Sequence, residues 1–361
     1  MKNSIRYIFW GIMSLLAFVG CDVHEIPVDR NERVPFLLHL NFDTELPLYK
    51  EILYTRSEQE SKQIPSHDVR YIVNAYRTDL GSGKNRQVDT TFVFTHEDIY
   101  NLNRTLQLEL REGTYTFMVW TDYVAKGSKA DQYYNTSEFS EIILADKKNH
   151  SGSNDYRDAF RGTATATVLN PAYYTGSILS TIDNQAKVEM QRPMGKFKFI
   201  STDLEMFLTR VAKMLEEEGV IDKVDSKATY EQLLQLVELD DYEIIFRYNI
   251  FMPCSFNMFI DKPADSWMGM SFKSLMRNEN NKEITLGFDY VFVNGAETTL
   301  SISVEVYDKN GNQLSVSNPV NVPIARSKLT IVRGEFLTSV TSGGVAINPD
   351  YDGPDYNIEI Q

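Results

Sequence analysis

The chain has 361 residues, of which 42% are hydrophobic and 24% charged, and a formal net charge of −14 at pH 7. That length allows two domains with their own cores. The acidic balance excludes a general nucleic-acid surface, which needs an excess of Lys and Arg to neutralise phosphates.

At the N-terminus, Lys2 and Arg6 precede an apolar run from Tyr7 to Val19, followed by Gly20-Cys21. The run is shorter than the roughly 20 apolar residues of a spanning helix, and Asp22, His24 and Glu25 end it abruptly. Residues 1–20 therefore read as a cleaved signal peptide. Its loss removes two positive charges and makes the mature chain more acidic. A small residue followed by Cys at the end of such a run resembles the lipobox of bacterial lipoproteins, with Phe18 where that pattern usually has Leu. The resemblance implies cleavage between Gly20 and Cys21 and acylation of Cys21 on its sulfur and amino group. Each buried methylene contributes about 0.8 kcal/mol, so several chains hold essentially irreversibly. Only Cys254 then remains, and a single thiol makes no intramolecular disulfide. Stability must come from core burial.

Residues 21–33 are polar, contain Pro27 and lack periodicity, as expected of a flexible tether. From Val34, alternation of Phe36, Leu38, Leu40 and Phe42 predicts a strand, with Pro35 suited to an edge position. Further strands are expected over Val69–Tyr76, Thr90–Thr95, Arg104–Arg111 and Thr114–Asp122. The last two read as a hairpin turning at Glu112-Gly113, with one core face and one solvent face. Tyr123–Tyr156 is mostly polar and looks like a long surface excursion. Strand patterning resumes over Thr163–Leu169 and Lys187–Thr202.

Two segments have helical period. Asp203–Glu218 places Leu204, Phe207, Leu208, Val211 and Leu215 on one face and stops at Gly219, and Lys227–Leu239 follows with Ser226 as the expected N-cap. Strands return over Tyr242–Pro253, Glu283–Asn294, Thr298–Asp308, Gln313–Val316, Val320–Pro323 and Lys328–Thr338. Asp308-Lys-Asn-Gly311 supplies the positive φ that a tight hairpin turn needs. The expected fold is all-β: two sandwich domains over 34–186 and 187–361, joined near Asp183–Glu189, with a helical insertion at about 203–239 in the second.

Few residues suggest chemistry. His24, His39, His67, His96 and His150 show no metal-ligand spacing and read as surface or rim side chains. There is no nucleophile elbow and no phosphate loop. Asp350-Tyr-Asp-Gly-Pro-Asp355 lacks EF-hand spacing. Asp89-Thr90-Thr91 resembles a short O-glycosylation signal of exported proteins. No catalytic residue, metal site or cofactor is expected, so the chain reads as a non-enzyme. Its 20 Tyr and three Trp keep a surface glycan-binding protein as the alternative class.

Several blocks resemble fimbrillin-like lipoproteins of Bacteroidales-type bacteria. These are Arg247–Phe259, Leu286–Gly295 and, most specifically, Val322-Pro-Ile-Ala-Arg326 continuing through Thr330, Gly334 and Leu337-Thr338. Gly113-Thr-Tyr-Thr-Phe-Met-Val-Trp120 is similar to a hairpin of fimbrial anchor proteins. The resemblance implies two transthyretin-like or immunoglobulin-like sandwiches, an outer-membrane location and a structural role in adhesion. It implies other fimbrial subunits as partners, and assembly by β-strand addition. In polymerising members an Arg-directed protease removes the N-terminal strand. Here Arg30 and Arg33 lie between Cys21 and the strands and are the candidate processing sites. Tyr356, Ile358 and Ile360 alternate in the tail, which either pairs with its own sheet or fills another subunit's groove. Stalk, tip and anchor roles are all compatible with these features.

Overall fold

The computed structural model describes residues 31–42, 66–79, 87–278, 283–339 and 356–359. In the first domain, β1 (Arg33–Phe42) lies between β4 (Arg104–Arg111) and β9 (Gln185–Met190). The facing sheet has the order β3 (Val88–His96), β2 (His67–Arg77), β5 (Gly113–Ala125), β8 (Phe160–Val168). The alternation read in β1 places Val34, Phe36, Leu38, Leu40 and Phe42 in the core between the sheets. Phe36 stacks on Phe117 of β5 with ring centroids 5.1 Å apart.

Two local expectations change here. The β4–β5 pair is not a hairpin: β4 pairs with β1, and β5 with β2 and β8. Leu106, Leu108 and Leu110 face Tyr115, Phe117 and Val119 across one core, so Glu112-Gly113 arches from one sheet to the other. Both apolar rows are buried this way, whereas pairing side by side would place them on one face of one sheet. The first strand is not at an edge either. Pro35 lies opposite Glu109 of β4, while pairing to β9 begins only at Leu37. Proline therefore sits on the overhang of an otherwise central strand.

The second domain pairs β17 (Arg277–Asn278), β18 (Ile284–Phe292), β10 (Met194–Ser201), β22 (Leu329–Gly334) and β23 (Tyr356–Glu359) in that order. Opposite lie β16 (Ser271–Leu275), β11 (Glu243–Tyr248), β19 (Glu297–Tyr307) and β20 (Gln313–Val316). β21 (Val320–Ala325) pairs with the other half of β19. The predicted turn joins β19 to β20: Gly311 has φ 82°, and Asp308 accepts from the backbone N–H of Asn310 and Asn312. The stretch expected as one strand over Lys187–Thr202 divides at Gln191-Arg192-Pro193, β9 joining the first domain and β10 the second.

The helical insertion consists of α1 (Leu204–Glu217) and α2 (Tyr230–Leu236). Leu204, Phe207, Leu208 and Val211 of α1 are buried in the second core. Gly219, with φ 70°, ends the first helix. The second is capped by Thr229 rather than Ser226, because Gln232 three positions on completes a reciprocal capping box.

Tyr123–Tyr156 also departs from expectation. It carries β6 (Tyr134–Asn135) and β7 (Ile142–Leu144), and β7 pairs with β13 (Ser255–Asn257), which pairs in turn with β14 (Lys262–Pro263), while β12 (Met252–Pro253) pairs with β15 (Ser266–Trp267). Tyr134, Phe139, Ile142 and Leu144 are buried in the second core. Trp120 of β5 meets Tyr134 edge-on at 5.5 Å. The chain thus crosses to the second domain after β5, returns before β8 and crosses again at Pro193. Sparse apolar residues among many polar ones concealed this connector.

Close backbone approach fixes one glycine. A Cβ on Gly195 of β10 would stand 2.2 Å from the carbonyl oxygen of Ala325. Gly195→Ala should therefore destabilise the protein by about 1–3 kcal/mol or more through overpacking, read as a lower denaturation midpoint. An unchanged midpoint would refute the close approach.

Candidate functional site

Two features stand out: the seat of β1 and the polar junction between the domains. β1 runs antiparallel to β4 from Arg33↔Arg111 to Leu40↔Arg104, and parallel to β9 from Leu37↔Gln185 to Phe42↔Met190. Its outward side carries the exposed Leu37 and, as expected, His39, whose Nδ1 lies 2.9 Å from Thr105 Oγ1 and Nε2 3.0 Å from Gln185 Oε1. Asn41 donates to Glu189 Oε2 at 2.6 Å. The strand is thus bonded along two neighbours and buried on one face.

Arg33 is the exposed first residue of β1 and donates to the Glu109 carbonyl at 3.3 Å. Gly20, Cys21 and Arg30 lie outside the described residues. Tyr356 and Ile358 belong to β23, which runs parallel to β22 with the register Thr330↔Tyr356 and Val332↔Ile358. Ile360 lies outside the described residues.

At the junction, polar groups are buried in number. Asp289 of β18 pairs with Arg157 from the connector, and its Oδ2 lies 2.6 Å from His150 Nε2 and accepts from the Tyr248 hydroxyl at 2.5 Å. Arg157, His150 and Asp289 are all buried. Arg192 forms a two-pronged pair with Asp158 at 2.8–3.0 Å, and Lys196 of β10 bonds Asp155 at 2.8 Å. Nearer the surface, Arg161 of β8 and Arg326 converge on Asp261, at 2.5 and 2.8 Å. Groups from both domains and the connector interlock here, so relative domain motion would break buried charge pairs.

The electrostatics follow from burial. Burial, then the Arg157 charge, hold the His150 pKa below its ordinary value, against the opposite pull of Asp289. Burial alone would raise the Asp289 carboxyl, but Arg157, His150 and Tyr248 outweigh it and the pKa is lowered. Burial pushes the Cys254 thiol up to about 12, so it stays protonated and unreactive at neutral pH.

Both junction shifts destabilise the fold in acid. The His150 contribution is present above the unfolded value of about 6.5 and is lost as pH falls below it. The Asp289 contribution is lost only as pH falls through its lowered carboxyl value. His67, lowered by burial against Asp68, adds in the same direction as His150. Melting temperature should accordingly fall between about pH 7.5 and pH 5.5, and less so in His150→Gln. An equal fall in the variant would remove His150 from the account.

His150, expected at the surface or rim, is instead a buried member of this cluster. A signal was present: Asp289 is the single charge in Leu286-Gly-Phe-Asp-Tyr-Val-Phe292, just as Arg70 is in Val69-Arg-Tyr-Ile-Val73. A lone charge within an apolar strand must be paired when buried, and Arg70 indeed meets Asp122 at 2.6 Å. The partners came from distant segments that no local pattern connects.

Fold and site together define a two-domain, all-β protein with a riveted junction. The chain belongs to the family described as "Family of unknown function (DUF6562)", whose model matches residues 25–361. No curated protein sequence matches it. Among solved structures it is similar to the fimbrial anchor protein Mfa2 from Porphyromonas gingivalis, at 12% identity and TM-score 0.36, covering 79% of this chain and 82% of that one. It is also similar to a fimbrial assembly protein from Parabacteroides distasonis, at 11% identity and TM-score 0.38, covering 84% and 91%.

Proposed function

We propose that this chain is a non-enzymatic cell-surface lipoprotein of a fimbrial system, held in the outer membrane by acylated Cys21 and serving adhesion as an anchor-type subunit. The lipobox-like Gly20-Cys21 and the Val322–Thr338 block support the lipoprotein and fimbrillin-like parts of this assignment.

The observation that carries the anchor role is the position of β1. It begins at Arg33, so cleavage at Arg30 or Arg33 frees the body from its lipid yet leaves β1 between β4 and β9. Strand addition into this domain would require β1 to leave, since its apolar face and both hydrogen-bonding edges fill the groove. β23, at the outer edge of its sheet, is the candidate strand to be donated to a neighbouring subunit.

The test is limited digestion of the purified acylated protein with an Arg-specific protease, followed by an unboiled denaturing gel. One shortened band without multimers is the expected result. A ladder that collapses on boiling would show that β1 is lost and replaced, and would make the chain a polymerising subunit instead.

A further inference from the structure

One end of the first domain carries a surface loop of unusual composition. Leu169–Ile182 reads LNPAYYTGSILSTI, fourteen residues without a charge in a chain that is 24% charged. At that average, about three charges would be expected. The loop links β8 to β9 and contains two short 3-10 turns, Pro171–Tyr173 and Leu179–Thr181. It presents two aliphatic side chains at its tip outward: Ile178 is 52% exposed and Leu179 46%.

Its base is fixed beside the start of β1. Asn184 accepts from Leu37 N–H at 2.9 Å through its carbonyl, and its side chain bonds both the N–H and the carbonyl of Leu169. Asn170 donates to Glu112 through its N–H and to Glu32 through its amide, at 3.0 and 3.3 Å. The Tyr174 hydroxyl donates to Glu112 at 3.3 Å. The loop therefore projects from the end of the domain where β1 begins.

We propose that this loop is a second membrane contact, seating Ile178 and Leu179 in the interfacial layer of the bilayer that holds the lipid anchor. The inference rests on acylation of Cys21. Twelve residues separate Cys21 from Arg33, and even fully extended they span at most about 43 Å. A tether of that length keeps this end near the bilayer at an effective concentration of about millimolar, so a weak contact suffices. The chemistry fits a lipid interface: aliphatic tips to enter the acyl boundary, Tyr173 and Tyr174 as amphipathic rings at headgroup level, and no charge to desolvate. With one end held at two points, the body would stand at a defined angle to the membrane rather than swing on its tether.

The test uses full-length acylated protein carrying Leu179→Cys, labelled with an environment-sensitive fluorophore. Cys254 is 1% exposed and Cys21 is acylated, so the label goes to position 179. The same label on Leu275→Cys, 55% exposed in the second domain, is the control. Both are bound to phosphatidylethanolamine–phosphatidylglycerol vesicles containing spin-labelled lipid, and flotation establishes attachment. The expected result is a blue shift at position 179 with several-fold stronger quenching than at position 275. Equal, water-like signals in floating protein would overturn the loop contact and leave the anchor intact. Failure to float would overturn both. A blue shift that follows protein concentration, without quenching by lipid, would assign the loop to a second copy of the chain and overturn the membrane proposal.

Discussion

Replacing Asp289 with Ala should cost about 3–5 kcal/mol, because it leaves the Arg157 guanidinium buried without its counter-charge. The neighbours cannot compensate. His150 and Tyr248 both address the same carboxylate, and with it gone their donors lose a partner in a site closed to water. Asp289→Asn should be milder, keeping the shape and one acceptor but losing the charge. Because Asp289 belongs to β18 and Arg157 to the connector, the loss should also loosen the return of the chain into the first domain. Denaturant unfolding should show it as a lowered midpoint or as two separated transitions. An unfolding free energy within a few tenths of a kcal/mol of the parent would mean that the junction is not closed as described.

Phe36→Ala should produce a loss of similar size, about 3–5 kcal/mol for an aromatic removed from a packed core. Phe36 is fully buried and stacked on Phe117, so truncation removes contacts on both sheets at once. Its functional consequence is specific to β1. The hydrogen bonds to β4 and β9 remain, but the apolar face that seats the strand is broken. Hydrogen exchange along Val34–Phe42 should rise more than along β2 or β5. Protection falling equally in all three strands would indicate global destabilisation alone, and Phe36 would then not seat β1 separately from the rest of the domain.

Much of the fold could be read from the residues. The period-two rows of β1 and β4, the helical stripe of α1 with Gly219 behind it, and the Asp308–Gly311 turn are local patterns whose cause lies within a few residues. What escaped depends on distant partners. β1 looked like an edge strand because of Pro35, and only the register with β9, nearly 150 residues on, makes it central. Arg104–Arg111 and Thr114–Asp122 looked like a hairpin because a short turn joins them, yet alternation cannot say whether two apolar rows lie side by side or face to face. The connector looked like a solvent excursion since its average composition is polar, while a few positions, Tyr134, Phe139 and Ile142 among them, do the packing.

The proposed site was legible to a similar depth. Cys21, Arg30 and Arg33 are named from the sequence alone, and of these the structure describes Arg33, which opens β1 rather than preceding the fold and so changes what a cut there would achieve. The His150–Arg157–Asp289 cluster showed only as one misplaced carboxylate in an apolar strand. The charge-free run Leu169–Ile182 is visible in the sequence, whereas its place beside the start of β1 depends on the distant bond between Leu37 and Asn184.

The most direct test of the lipoprotein assignment is mass spectrometry of the protein isolated from the outer membrane of a Bacteroidales-type host, compared with Cys21→Ser. The account predicts a chain that begins at a multiply acylated Cys21 and lacks residues 1–20, with the variant lost from the membrane fraction. An unmodified Cys21 in the mature chain, or undiminished membrane association of Cys21→Ser, would contradict it.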